Sequence, residues 1–86
     1  MCYVYYLYSE KINKFYIGKS VDILNRLEEH NRGKEKYTKK GVPWRLVGYI
    51  QCDTNLEASK LEQKMKKAKN PKYVRWYIEQ NGIIAD

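Results

Sequence analysis

Hydrophobic and polar residues follow two different spacings along this chain, and the first of them predicts β-strands. The runs "CYVYYLY" and "FYIGK" are rich in aromatic and β-branched residues, and the polar stretch "SEKINK" separates them. We expect these two runs to pair as a hairpin. A third run, "RLVGYIQC", begins after "GVPW", where Pro43 interrupts regular structure. The pattern therefore predicts three strands.

The second spacing places apolar residues three or four positions apart and predicts three helices. The first covers roughly residues 22 to 32, with Asp22 as its N-cap and Gly33 at its C-terminal cap. The second begins after Thr54, which forms a capping-box signature with Glu57. The third is "NPKYVRWYIEQNG", with a proline early in the segment and a glycine beyond its end.

The element order is then β-β-α-β-α-α, which predicts an α/β protein of the α+β type. The natural architecture for this order is a three-stranded, largely antiparallel sheet with the helices packed on it. A chain of 86 residues has the size of one domain, which we assign to residues 1–86.

Charge adds a candidate partner to this picture. The formal net charge is +7, and the segment 32–45, here called the basic loop, carries six basic residues and one glutamate. Positive charge of this density suits a polyanion, although a solubilising surface has the same composition. We favour nucleic acid over a membrane, because no helix pairs a basic face with a large apolar face. The predicted DNA contacts are Lys19, Arg32, Lys34, Lys36, Lys39, Lys40 and Arg45.

Two aromatic residues of the basic loop allow two interpretations. Tyr37 and Trp44 could stack on exposed bases, or Trp44 could anchor the loop to the core.

The cysteines and the apolar runs limit which cellular compartment and which metal ligands are compatible with this sequence. Cys2 and Cys52 lie in β-like runs without metal-ligand spacing, so we interpret them as buried thiols, and any metal would be held by a carboxylate. No apolar run approaches the roughly 20 residues that cross a bilayer, and the start lacks the zones of a signal peptide. We therefore expect a cytoplasmic protein.

Several short motifs together resemble the GIY-YIG nuclease superfamily over most of the chain. They are "YVY" at 3–5, "YIG" at 16–18, Arg26 and His30 in the following helix, and "LEQKMKK" in the second helix. The segments "YT" and "PWRLV" further resemble the small stand-alone bacterial members. The resemblance implies hydrolysis of DNA phosphodiester bonds by water with the help of one divalent metal ion, Mg²⁺ or Mn²⁺.

The resemblance also implies roles for matched residues. Tyr5 and Tyr16 match the tyrosines of the two half-motifs, and one of them is a candidate general base. Because a free tyrosine has a pKa near 10, a cation such as Lys19 or a metal-bound water would have to help. Arg26 and His30 are four residues apart, so they share a helical face. Arg26 would stabilise charge on the phosphate, and His30 would be a second donor or proton carrier.

The metal-binding carboxylate requires a choice between Glu57 and Glu62. Glu57 already has a capping role, and Glu62 matches the metal-binding glutamate of the family. One carboxylate with waters and phosphate oxygens is an acceptable shell for Mg²⁺. The alternative is that Glu62 simply pairs with Lys66 one turn later.

One position departs from the family pattern. Several members carry an asparagine where this chain has Val74, and Asn70 or Asn81 could substitute for it.

Because no separate DNA-reading domain fits in this length, we expect low sequence specificity or a preference for DNA structure, unless a partner protein or an oligomer supplies recognition. The first alternative is a catalytically inactive nucleic-acid-binding module with the same fold. The second is an interaction domain whose lysines bind an acidic protein.

Overall fold

Four antiparallel strands form a single sheet in the computed structural model, which describes residues 1–86. The strands are β1 (Cys2–Ser9), β2 (Lys14–Ser20), β3 (Arg45–Cys52) and β4 (Ile83–Ile84). Their order across the sheet is β2-β1-β3-β4, so β2 and β4 are the two edges. The α+β class and the hairpin of the first two strands agree with the prediction.

The prediction of three strands and the order β-β-α-β-α-α is wrong, because β4 follows the third helix. This strand has only two residues, too few for a recognisable alternation of polar and apolar positions. Its pairing depends on Gly82, where a Cβ atom would clash with the carbonyl oxygen of Tyr49 on β3. The chain can therefore lie against β3 only because residue 82 has no side chain.

The three predicted helices are present, and each begins at a side-chain cap. Helix α1 covers Ile23–Asn31, α2 covers Asn55–Ala68 and α3 covers Pro71–Asn81. The capping side chains are those of Asp22, Thr54 and Asn70, which accept hydrogen bonds from backbone N–H groups of the first turns. After α1, Gly33 has a φ angle of +76°, the left-handed conformation that glycine adopts without strain. None of these helices has both the length and the apolar character needed to span a membrane.

The sheet separates the interior into two apolar clusters. On one face, α2 and α3 pack against Val4 and Tyr6 of β1 and Val47 and Ile50 of β3. On the other face, α1 and the basic loop cover a smaller cluster of Tyr5, Leu7 and Trp44. Successive residues of β1 point to opposite faces, so Tyr5 is separated from the main core by its own backbone.

The two cysteines lie in the main core. Cys2 and Cys52 are buried free thiols, as the sequence predicted. The structure adds that they lie opposite each other on β1 and β3. Burial raises the pKa of the Cys52 thiol.

Candidate active site

The side chain of Tyr5 lies across Gly18, its partner on the edge strand β2. A Cβ atom at position 18 would lie 2.6 Å from the Tyr5 Cζ atom, far inside van der Waals contact. Gly18 is inside β2 and not in a turn, so the ring of Tyr5 is the reason that residue 18 has no side chain. The phenol of Tyr5 can thereby cross the edge strand.

A chain of buried hydrogen bonds starts at the Tyr5 phenol. The Tyr5 Oη atom lies 3.0 Å from His30 Nε2, and His30 Nδ1 lies 2.8 Å from Thr38 Oγ1. All three side chains are almost completely buried. His30 reaches this position because it lies on the inner face of α1, and Thr38 reaches it from the basic loop. The imidazole is therefore fixed from both of its nitrogens.

Tyr16 lies beside this chain of hydrogen bonds. The centroid of its ring is 5.0 Å from that of His30 and 6.3 Å from that of Tyr5. Tyr37 of the basic loop follows at 6.1 Å from Tyr16 on the exposed side. The tyrosine of the second half-motif is thus brought next to that of the first.

Arg26 lies one turn before His30 on α1 and is held by two carboxylates. Its Nη2 atom is 2.6 Å from Glu35 Oε2, and its Nη1 atom is 3.4 Å from Glu29 Oε1. The hydrogen bond to Glu35 raises the pKa of the Arg26 guanidinium, so it stays charged at all relevant pH values. About a third of the arginine side chain remains exposed. This leaves it accessible to an anion from outside.

Burial sets the protonation states of the aromatic groups. It raises the pKa of Tyr5 to about 12, with a further rise from Tyr16, and the Arg26 guanidinium acts in the opposite direction. Burial also raises the pKa of Tyr16. The pKa of His30 is lowered, first by burial and then by the charge of Arg26. Both phenols and the imidazole are therefore neutral at pH 7.

This result differs from the expectation that a nearby cation would lower a tyrosine pKa. The cation beside Tyr5 is Arg26, and the loss of water around the phenol outweighs it.

Glu62 lies on α2, and its charge reaches the two tyrosines. Its carboxylate is 3.3 Å from Lys66 Nζ, one turn later, and only 17% of its side chain is exposed. Its negative charge acts on the pKa values of both Tyr5 and Tyr16. Glu57 is exposed at the first turn of α2, where its backbone N–H donates to Thr54. Glu62 is thus mostly buried and within electrostatic range of the tyrosines, whereas Glu57 is exposed at the helix cap.

The donor set for a metal ion here is one carboxylate. No three His, Cys, Asp or Glu side chains converge anywhere in the structure. A single carboxylate fits Mg²⁺, which keeps several waters and takes its remaining ligands from substrate phosphates. It does not fit Zn²⁺, which needs three or four protein ligands.

Lys19 lies on the other face of the sheet from Tyr5. Because Gly18 faces Tyr5, the next residue of β2 points towards α2. The Lys19 Nζ atom donates to Asn55 Oδ1 at 3.0 Å and to Ser59 Oγ at 2.5 Å. In this structure Lys19 ties the edge strand to the start of α2.

The basic loop borders the site on the α1 face, and its predicted DNA contacts fall into two groups. Four lysines are exposed and form no ion pair: Lys34, Lys36, Lys39 and Lys40. Arg32 pairs with Glu28, and Arg45 pairs with Asp86.

The two loop aromatics have separate environments. Trp44 is buried, and its Nε1 atom donates to the Thr38 carbonyl at 2.8 Å, so it anchors the loop. Asn31 of α1 binds both the backbone N–H and the carbonyl of Trp44. Tyr37 is 83% exposed and available for stacking.

Sequence reasoning missed Thr38 and Glu35 as members of this site. Both lie in a polar loop, and their partners His30 and Arg26 are eight and nine residues away, outside any helical or strand periodicity. The only sequence signal was the "YT" segment, which does not indicate which residues its side chains contact.

The position that departs from the family pattern lies in the core. Val74 is buried against α2 and β3. The two asparagines considered as substitutes are engaged locally: Asn70 caps α3, and Asn81 donates to the Tyr77 carbonyl.

Fold and site together define a small α+β domain in which a buried tyrosine and histidine lie next to a partly exposed arginine, with a mostly buried glutamate within electrostatic range. These groups can bind a phosphate and exchange protons beside it. The family model of the GIY-YIG catalytic domain matches residues 1–74, and the chain belongs to this family of nucleases. The predicted resemblance is confirmed. The family implies a nucleic-acid substrate, and its members are generally dependent on a divalent metal.

The relatives that match are bacterial proteins described as UPF0213 proteins. One from Pediococcus pentosaceus is 31% identical over 83% of this chain and 75% of its own length. One from Listeria monocytogenes is 39% identical over 64% of this chain and 62% of its own length. One from Cupriavidus necator is 38% identical over 64% of this chain and 61% of its own length. No solved structure matches the chain significantly.

Proposed function

We propose that this protein is a metal-dependent endonuclease that hydrolyses phosphodiester bonds of DNA. One observation carries the proposal: the Tyr5 phenol lies 3.0 Å from His30 and beside Arg26, in a chain that belongs to the GIY-YIG family. A proton acceptor and a fixed positive charge then share one point at the sheet edge. That combination is what attack of water on a phosphodiester requires.

Tyr5 and His30 form the proton path of the proposed reaction. We place the proton of the neutral imidazole on Nδ1, so that Tyr5 donates its hydroxyl proton to His30 Nε2 and His30 Nδ1–H donates to Thr38 Oγ1. A water that attacks phosphorus passes its proton to the Tyr5 oxygen as the phenol proton moves to His30 Nε2. His30 is then an imidazolium, and its low pKa favours release of that proton to the leaving oxygen or to solvent.

Arg26 stabilises negative charge on the phosphate. Its guanidinium is planar, stays protonated and is accessible. A phosphate that binds it replaces Glu35, whose hydrogen bond at 2.6 Å now uses one edge of the group. Glu35 therefore competes with the substrate.

Glu62 would hold the metal ion, together with water and phosphate oxygens, after it leaves Lys66. When bound, a Mg²⁺ or Mn²⁺ ion supplies charge stabilisation at the phosphate and leaving oxygens. Tyr16 and the exposed Tyr37 line the approach, and Lys19 supports the site indirectly by fixing β2 on α2.

Low sequence specificity follows from the kinds of side chain that are available to contact DNA. The lysines of the basic loop contact phosphates, which position a nucleic acid without reading its sequence. Tyr37 offers a stacking surface for an unpaired base. We therefore propose a preference for flaps or single strands, which a partner protein or a second copy could sharpen.

The alternative function is a catalytically inactive nucleic-acid-binding module. The observation in its favour is Val74, which packs in the core where several family members carry a supporting asparagine.

Cleavage of duplex, flap and single-stranded DNA with Mg²⁺ or Mn²⁺ tests the proposal. Wild-type protein is compared with Glu62→Gln and Arg26→Ala, and with Glu57→Gln as the matched control on the same helix. We expect metal-dependent scission that falls at least about a hundredfold in the first two variants and persists in the control. Salt-sensitive binding without scission under either metal would support the binding module instead.

A further inference from the structure

A second groove lies on the α3 side of the sheet, opposite the candidate active site. Its volume is about 420 Å³, within the range of small-ligand pockets. Aromatic side chains form one wall: the rings of Tyr6 and Phe15 are stacked with centroids 4.8 Å apart, and Tyr8 lies 4.7 Å from Phe15. Phe15 is 41% exposed, so part of its ring is open to a ligand.

Two arginines from different elements converge on one carboxylate at the rim of this groove. Arg45 Nη1 of β3 lies 2.7 Å from Asp86 Oδ2, and Arg75 Nη1 of α3 lies 3.2 Å from Asp86 Oδ1. The Arg45 guanidinium also lies over the Tyr8 ring at 5.2 Å from its centroid. Lys72 adds a third positive charge to the lining. The groove therefore already holds an anion beside an aromatic wall.

The arrangement matches the parts of one nucleotide. Two guanidinium groups that share a carboxylate can share a phosphate, because phosphate oxygens accept the same charge-assisted hydrogen bonds. An exposed aromatic ring suits an unpaired base, because every base has a face that stacks. A paired base in a duplex cannot present that face. The geometry thus favours a single strand over a duplex.

We infer that this groove is a second DNA site that binds one nucleotide of a single strand, with its phosphate on Arg45 and Arg75 and its base on Phe15. Asp86 occupies the phosphate position until DNA displaces it. The nature of the ligand rests on the proposed function. The site itself uses Arg75 and Asp86, which lie beyond the residues 1–74 that match the family.

Binding of a labelled oligothymidylate in EDTA, followed by fluorescence anisotropy, tests the inference without any cleavage. Asp86→Asn removes the competing carboxylate and should tighten binding by about fivefold. Asp53→Asn is its control, because Asp53 is exposed in the turn before α2 and the same negative charge is lost. Arg75→Ala should weaken binding by about fivefold. It should also make the salt dependence of the association constant less steep, by the amount expected for the loss of about one phosphate contact. Lys67→Ala, an exposed lysine of α2, is the control for this charge.

Equal effects of each variant and its control would overturn the inference, because net charge alone would then explain them. This outcome can be told apart from failure of the proposed function. If the wild type cleaves DNA and its binding does not depend on Arg75 or Asp86, only the inference about the groove is refuted. Binding that depends on Asp86 and Arg75 without scission would refute only the nuclease. Absence of DNA binding would refute both.

Discussion

Gly18 and Tyr5 form a pair in which one residue lacks a side chain so that the other can lie across it. The ring of Tyr5 covers the glycine on the edge strand, and its hydroxyl meets His30 on the far side. Neither residue alone signals this relation, since tyrosine is common in strands and glycine is common near turns. Their opposition across β1 and β2 creates it.

Replacement of Gly18 by alanine should therefore disturb both stability and the site. The new methyl group would lie within 2.6 Å of the Tyr5 ring and would displace it. We expect a loss of about 1–3 kcal/mol in the free energy of unfolding, measured in urea, because overpacking at buried sites has this effect. Lys14→Ala, at the exposed start of the same strand, is the control. Equal stability of the two variants would contradict this account of Gly18.

His30 makes stability depend on pH below neutrality. Its folded-state pKa lies below the unfolded value of about 6.5, so the stabilisation is complete above that pH and is lost as pH falls below it. It is the chain's only histidine, so few other groups titrate in this window. We expect unfolding free energy to fall from pH 7.5 to pH 5, and His30→Gln to flatten the profile. An unchanged slope in the variant would show that another group is responsible.

At the scale of elements, α1 and the basic loop together form one side of the site. Arg26 and His30 belong to the helix, and their partners Glu35 and Thr38 belong to the loop. The loop is tied down by Trp44, whose backbone is bound by Asn31 of the same helix. The orientation of the arginine and the histidine thus depends on loop packing as well as on helical spacing.

Loss of the Glu35 carboxylate should release Arg26 for phosphate. In Glu35→Gln, we expect DNA binding to tighten by up to about fivefold. This factor corresponds to the free energy that a partly exposed ion pair contributes. Glu10→Gln is the matched control, because Glu10 is an exposed glutamate that forms no ion pair, so the same charge is lost without release of an arginine. Anisotropy titrations in EDTA measure both. A gain in the control as large as in Glu35→Gln would mean that net charge, and not release of Arg26, is the cause.

At the scale of the whole molecule, positive charge is concentrated next to the candidate active site. The four unpaired lysines of the basic loop lie on the α1 face, where Tyr16 contacts Tyr37 and Trp44. A polyanion attracted by the net charge of +7 is therefore led towards the sheet edge that carries Tyr5 and Arg26.

This distribution predicts the salt dependence of duplex binding. The slope is that of the logarithm of the association constant plotted against the logarithm of salt concentration. If each of the four loop lysines neutralises one phosphate, together they contribute about −3 to −4 to this slope. Alanine at Lys34, Lys36, Lys39 and Lys40 should remove this part of the slope and leave only the contribution of other phosphate contacts, such as Arg26. Alanine at four exposed lysines elsewhere, Lys11, Lys14, Lys60 and Lys67, is the control. Equal loss in both sets would mean that binding follows total charge and not the loop.

The sequence by itself determined the three helices, the hairpin, the third strand and the family. These features depend on local signals, such as the caps at Asp22 and Thr54 and the alternation of β-branched and aromatic residues. The candidate residues Tyr5, Tyr16, Arg26, His30 and Glu62 were found the same way, through motifs that match a family.

Tertiary structure alone decided the rest, because those features depend on contacts between residues distant in sequence. β4 pairs with β3 across more than thirty residues through a close approach at Gly82. Lys19 faces α2 because strand register places Gly18, its neighbour, against Tyr5. Burial, which no single residue reveals, raises the pKa of Tyr5 to about 12 and lowers that of His30. Local pattern thus specifies elements and chemistry, and packing specifies which groups meet and in what protonation state.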